Sequence, residues 1–163
     1  MTRILFFIAI ICSASIVKAQ TPAEPAYKRI TTIPPFKLMV APDSTAFTKE
    51  ALQKKKATII MVFSPECDHC LHATEDMLAH FDAFKKVQIV MSTPLAYSYV
   101  QKFYKDYQLA KYPNITVGVD VPYFLGTFFE VQSYPAIFLY DKKGQFKAAF
   151  NSDAKFEDIA KQL

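Results

Sequence analysis

The chain has 163 residues, 52% hydrophobic and 21% charged, with a formal net charge of +4. That length and apolar content suffice for one domain with a buried core, and the charge is too mild and scattered to mark a nucleic-acid surface. Fifteen phenylalanines and nine tyrosines against three glycines and no tryptophan predict a dense aromatic interior.

Residues 1–19 read as a secretory signal. Arg3 supplies the positive start, 4–12 is a short apolar run, and Val17-Lys18-Ala19 puts a small residue before Gln20. The run is too short to span a bilayer comfortably, so cleavage and export are expected, with no membrane span left afterwards. The destination would be the periplasm of a Gram-negative cell and otherwise the extracellular space. Ile11 stands where an acylated cysteine wants a small residue before it, which argues against a lipid on Cys12. Residues 20–35 carry Pro22, Pro25, Pro34 and Pro35 without periodicity and are expected to form an extended tether. A single domain then runs over 36–163.

Within that domain 36–40 is a predicted strand and 44–52 a short helix capped by Asp43 or Ser44. The run 57–63 is apolar at every position but Thr58, as a central strand covered on both faces requires. Leu71, Thr74, Met77, Leu78 and Phe81 then recur at helical spacing. A strand over 87–91 leads to Thr93-Pro94, read as the cap and first-turn proline of a helix burying Ala96, Val100, Phe103, Tyr104 and Tyr107. A short strand over 115–119 and a helix over 121–128 follow. Strands over 136–140 and 145–150 flank Asp141-Lys142-Lys143-Gly144, a hairpin signal. Ser152 is expected to cap a closing helix that buries Phe156, Ile159 and Leu163. Helices joining strands that read as fully buried define an α/β sandwich.

The chemistry concentrates at Cys67-Asp68-His69-Cys70, between the central strand and the helix after it. A thiol at a helix N-terminus faces unpaired backbone N–H groups and the positive end of the dipole. Both favour thiolate, the species that attacks a disulfide. Once the signal is removed these are the remaining cysteines, so the pair either stays a structural disulfide or cycles with partners.

These residues resemble the thioredoxin-like superfamily over roughly 36–163. The features are the strand followed by Phe63-Ser64-Pro65-Glu66-Cys67-Asp68-His69-Cys70 and a helix, the later Ser133-Tyr134-Pro135 before a strand, and the terminal hairpin plus helix. The export signal and the additional strand and helix ahead of the central strand look like the exported TlpA/ResA-type branch. The resemblance implies a central mixed sheet between helices, with that N-terminal strand and helix added. It implies Cys67 as the attacking and Cys70 as the resolving thiol, joined as a disulfide in the oxidised state. It also implies a cis Tyr134–Pro135 bond beside them that offers strand-like pairing to a substrate. No cofactor is implied. The partners would be thiol- or disulfide-bearing proteins and an upstream redox protein, acting on a monomer.

The departures are specific. Glu66 replaces the tryptophan that family members commonly carry before the first cysteine. Met61 occupies the strand position where many keep a buried acid for the resolving thiol's proton, leaving Glu75 or Glu130 as substitutes. His69 favours a Cys67 thiolate, and hence donation of the disulfide, whereas Glu66 and Asp68 oppose it. Asp68, His72, Asp76 and His80 stand four apart, a pattern that suits a solvated face with i,i+4 pairs. The favoured function is exported thiol–disulfide oxidoreductase. The alternatives are copper handling through Cys67, Cys70 and His69 or His72, with the metal as cargo, and a non-catalytic domain with a structural disulfide. No resident metal is assigned.

Overall fold

A computed structural model describes residues 24–163, so the signal expected over 1–19 lies outside the described residues. Seven strands form one sheet: β1 (Lys37–Val40), β2 (Thr45–Thr48), β3 (Thr58–Val62), β4 (Gln88–Thr93), β5 (Ile115–Asp120), β6 (Ala136–Tyr140) and β7 (Phe146–Phe150). Their spatial order is β2-β1-β5-β4-β3-β6-β7. The sheet is mixed. β3, β4 and β5 run parallel, while β6 is antiparallel to β3 and β1 to β5.

The central strand is buried at all five positions, and alternation divides its side chains between two cores. Ile59, Met61 and Phe63 pack with Ala73 and Met77 of α2 (Asp68–Ala79), Val100 and Phe103 of α4 (Tyr97–Asp106), and Phe156 and Ile159 of α6 (Phe156–Ala160). Ile60 and Val62 face the opposite core, built with Phe36, Leu38, and Leu125 of α5 (Phe124–Phe128). The turn of α1 (Ala26–Arg29) lies over that second core, where the Tyr27 ring meets Phe138 and Phe146 edge-on at 5.3 Å. A further turn, α3 (Phe81–Phe84), extends beyond α2.

Several local expectations are corrected. The helix expected over 44–52 is instead β2 followed by a single 3-10 turn at Lys49–Ala51. Asp43 is a turn residue, its Oδ1 accepting from the Thr45 amide at 3.2 Å and hydroxyl at 2.9 Å, and Ser44 takes a left-handed φ of 61°. Thr45, Phe47 and Thr48 then suit a strand, and β2 pairs with β1 from Lys37↔Thr48 to Val40↔Thr45. The N-terminal addition is therefore a hairpin, not a strand and helix. The described part of the expected tether is docked: the Ile33 amide donates to the Gly144 carbonyl at 3.1 Å, and Ile33 and Pro34 are buried.

Helix starts differ too. α4 begins at Tyr97 because Thr93 Oγ1 accepts from the Leu95 amide at 3.3 Å, closing a small turn before the helix. α5 covers the second half of 121–128, since Tyr123 is left-handed at φ 65°. α6 is capped from across the fold, by Asp76 Oδ2 accepting from the Phe156 amide at 2.8 Å, and not by Ser152. Leu163 remains 40% exposed.

Candidate active site

The strand register assembles the site. Val62 at the end of β3 pairs with Ala136 at the start of β6, so the 63–67 loop and the Tyr134-Pro135 loop emerge side by side. Thr93 pairs with Val119, which brings the segment after β5 to the same edge. Ligand and catalytic groups of α/β sheets collect at this end, beyond the carboxyl ends of the parallel strands.

Cys67 is the N-cap residue of α2, with extended backbone at φ −100° and ψ 119°, and it is half-buried. Its carbonyl accepts from the amides of Cys70 and Leu71 at 2.9 and 3.0 Å, which starts the helix. The Cys67 thiol points to the Tyr134 carbonyl, with Sγ 3.8 Å from that oxygen. Tyr134–Pro135 is cis, and Pro135 is buried.

Cys70 lies one turn into the helix and is fully buried. Burial pushes its thiol up to about 12 from an ordinary 9.0; the Ser64 amide, donating to Sγ at 3.5 Å, works against that rise, and the neighbouring Cys67 adds to it. Both cysteines are free thiols, so this is the dithiol form of the pair. One sulfur is accessible at a helix start and the other is shielded and held protonated.

Glu66, Asp68 and His69 are exposed around Cys67. Met61 is fully buried in the strand, an apolar residue where an acid was sought. Glu75 is exposed on α2 and pairs with the Tyr107 phenol, which burial first and this carboxylate second push above its ordinary range. Glu130 is exposed at a left-handed φ of 52°. Asp76 does structural work, capping α6 and pairing with His80 at 3.0 Å. Among the described residues no group of three or more His, Cys, Asp and Glu side chains is placed to hold a metal ion.

One contributor escaped the sequence reading. Tyr123, in the turn before α5, places its hydroxyl 2.7 Å from that of Tyr134. Its sequence signal is the Pro122-Tyr123 step ahead of a glycine-containing helix.

No protein-family model and no curated protein matches the chain. Solved structures do match. A putative thioredoxin from Neisseria meningitidis superposes with a TM-score of 0.66 at 23% identity, covering 81% of this chain and 87% of its own. A secreted Mycobacterium tuberculosis disulfide oxidoreductase, homologous to E. coli DsbE, gives 0.60 at 19% identity over 79% of this chain and 95% of that one. Copper-bound ScoI from Arabidopsis thaliana gives 0.62 at 15% identity over 79% and 93%. The chain has the thioredoxin-like fold.

Proposed function

We propose that the chain is an exported thiol–disulfide oxidoreductase of the TlpA/ResA type, exchanging disulfides with protein thiols through Cys67 and Cys70. The observation that carries this reading is the division of labour between the sulfurs: Cys67 is half-buried at the start of α2 against the Tyr134 carbonyl, and Cys70 is buried behind it. In the reducing direction the Cys67 thiolate attacks one sulfur of a partner disulfide. An S–S bond to the partner forms, the partner's bond breaks, and its other sulfur leaves as thiolate and takes up a proton. Cys70 then loses its proton and attacks Cys67 Sγ, closing the internal disulfide and releasing the second partner thiol. Two electrons pass to the partner, and an upstream dithiol protein restores the pair. The oxidising direction is the reverse.

Tyr134 and Pro135 form the docking edge in this reading, with the Tyr134 carbonyl as an acceptor for substrate backbone. Glu66, Asp68 and His69 tune the couple as exposed charges of both signs. Copper delivery has less support, because the two thiols with His69 or His72 do not converge as a donor set. Export rests on the N-terminal 1–19 pattern, and among the described residues no helix is long and apolar enough to cross a membrane. The partners proposed are proteins bearing thiols or disulfides, met by a monomer.

Expression of the full chain with Cys70→Ser in an exporting cell tests the assignment. Covalent adducts through Cys67 that dissolve in reductant are the expected result. A folded, exported variant that accumulates none would overturn it. Titration of the wild-type pair against glutathione addresses the structural alternative, since a structural disulfide has a potential below about −300 mV and resists reduction by glutathione.

A further inference from the structure

The turn between β5 and α5 is built in unusual detail for a surface connection. The Asp120 carbonyl accepts from the Tyr123 amide at 2.8 Å, and buried Asp120 Oδ2 accepts from the Leu125 amide at 2.6 Å. Between those bonds Tyr123 is held left-handed at φ 65° and ψ 39°, a region that a bulky residue rarely enters. The hydroxyl-bearing end of its ring then sits against Gly126. A Cβ added there would stand 1.9 Å from Tyr123 Cζ, so no side chain fits while the ring keeps its place. Gly126 is needed for the space above it.

The seated ring has one polar atom, and that atom reaches Tyr134, hydroxyl to hydroxyl at 2.7 Å. Tyr134 in turn packs against both cores and carries the carbonyl that faces Cys67 Sγ at 3.8 Å. Burial, then the Tyr123 hydroxyl, push the Tyr134 phenol above its ordinary range, so Tyr134 keeps its proton at physiological pH.

We propose that Tyr123, seated on Gly126, is a positioning residue for polypeptide substrates: its hydroxyl fixes Tyr134 so that the carbonyl beside Cys67 is preorganised to receive a substrate strand. This rests on the oxidoreductase reading above. A fixed acceptor spares a bound polypeptide the ordering cost of the loop, so the effect belongs to binding and not to the sulfur chemistry.

Steady-state reduction of an unfolded polypeptide disulfide by the full chain provides the test, with dithiothreitol restoring the Cys67–Cys70 dithiol and its direct reaction subtracted. Tyr123→Phe, Tyr134→Phe and the double variant are compared. Each single change is expected to raise KM about threefold to tenfold, the worth of one hydrogen bond, with kcat kept within about twofold. The double variant should be no worse than either single one, because both remove the same bond. Gly126→Ala should reproduce the KM rise, and it should add no further rise where Tyr123→Ala has already removed both the ring and its hydroxyl. An unchanged KM, or effects of the two phenylalanine variants that multiply, would overturn the positioning role. A wild-type chain that reduces neither this substrate nor a small aromatic disulfide would instead overturn the oxidoreductase reading, and this inference with it.

Discussion

The protonated state of Cys70 predicts a slow second half-reaction. With its thiol pushed up to about 12 by burial, the thiolate fraction at pH 7 is about 10⁻⁵, against about 10⁻² for a thiol at 9, a deficit of about a thousandfold. The more basic thiolate is also the better nucleophile, by about 0.4–0.5 logarithmic units for each unit of pKa, which recovers about twentyfold. Resolution should therefore lag by up to about fiftyfold behind an unshifted thiol, less the part of the rise that the free Cys67 thiol contributes, and the mixed disulfide on Cys67 should accumulate. The assay is single turnover with a disulfide-linked peptide, quenched in acid at intervals and analysed by intact mass. Between about pH 6 and 10 the decay of the mixed disulfide should accelerate about tenfold per pH unit. A rate that levels off near pH 7 would refute the reasoning, since it would mean that a group near Cys70 takes its proton despite buried Met61.

Other outcomes follow from the same geometry. Brief native alkylation should label Cys67 and spare Cys70, with Cys70 labelled only after denaturation, as peptide mapping would show. The reduced protein should lose stability as pH rises. A thiol whose folded value is raised contributes fully below about 9 and loses its contribution as pH climbs through about 12, so urea midpoints should fall across that window and fall less for Cys70→Ala. His69→Ala and Asp68→Asn should move the reduction potential in opposite directions, each by no more than about 30 mV because both side chains are exposed; equal shifts of one sign would point to helix packing instead. Gly118→Ala should cost about 1–3 kcal/mol in urea denaturation, because the new Cβ would lie 2.8 Å from Val40 Cγ1 and 2.9 Å from the Met39 carbonyl oxygen.

Much of the architecture was legible because its signals were local. The 57–63 run could only be a strand covered on both faces, and 68–79 carried helical spacing behind a cysteine pair. The failures share a cause. Ser44 to Leu52 contains residues that tolerate either state, and what decided for a strand was β1 alongside and the Asp43 turn. The start of α6 depended on Asp76, eighty residues away, and a cap of that kind leaves no mark beside Phe156. The 20–35 stretch reads as a tether because it carries four prolines and no periodicity, yet Tyr27 and Ile33 are anchors for a surface that appears only once β6 and β7 pair. Cys67 and Cys70 were visible from spacing. The Tyr123–Tyr134 contact was not, since it joins two loops through the sheet register.

The site also explains how the chain tolerates the departures from its fold's usual pattern. Glu66 stands directly before Cys67, and the aromatic packing of the loop lies on its core side. Phe63 packs on Phe103 at 4.9 Å and Phe103 on Tyr107 at 4.6 Å, a row that carries the loop from the central strand out to α4. The two successive parallel crossovers from β3 to β4 and from β4 to β5 place α2 and α4 on one face, against the same core. After β5 the chain crosses the opposite face as α5, which is where Tyr123 and Gly126 arise. Nothing comparable compensates for Met61. Met61 shares the buried core with Cys70 and supplies no proton acceptor, so under the proposed function the chemistry most sensitive to pH should be resolution of the mixed disulfide, while attack by Cys67 should depend on the docking edge proposed for Tyr134.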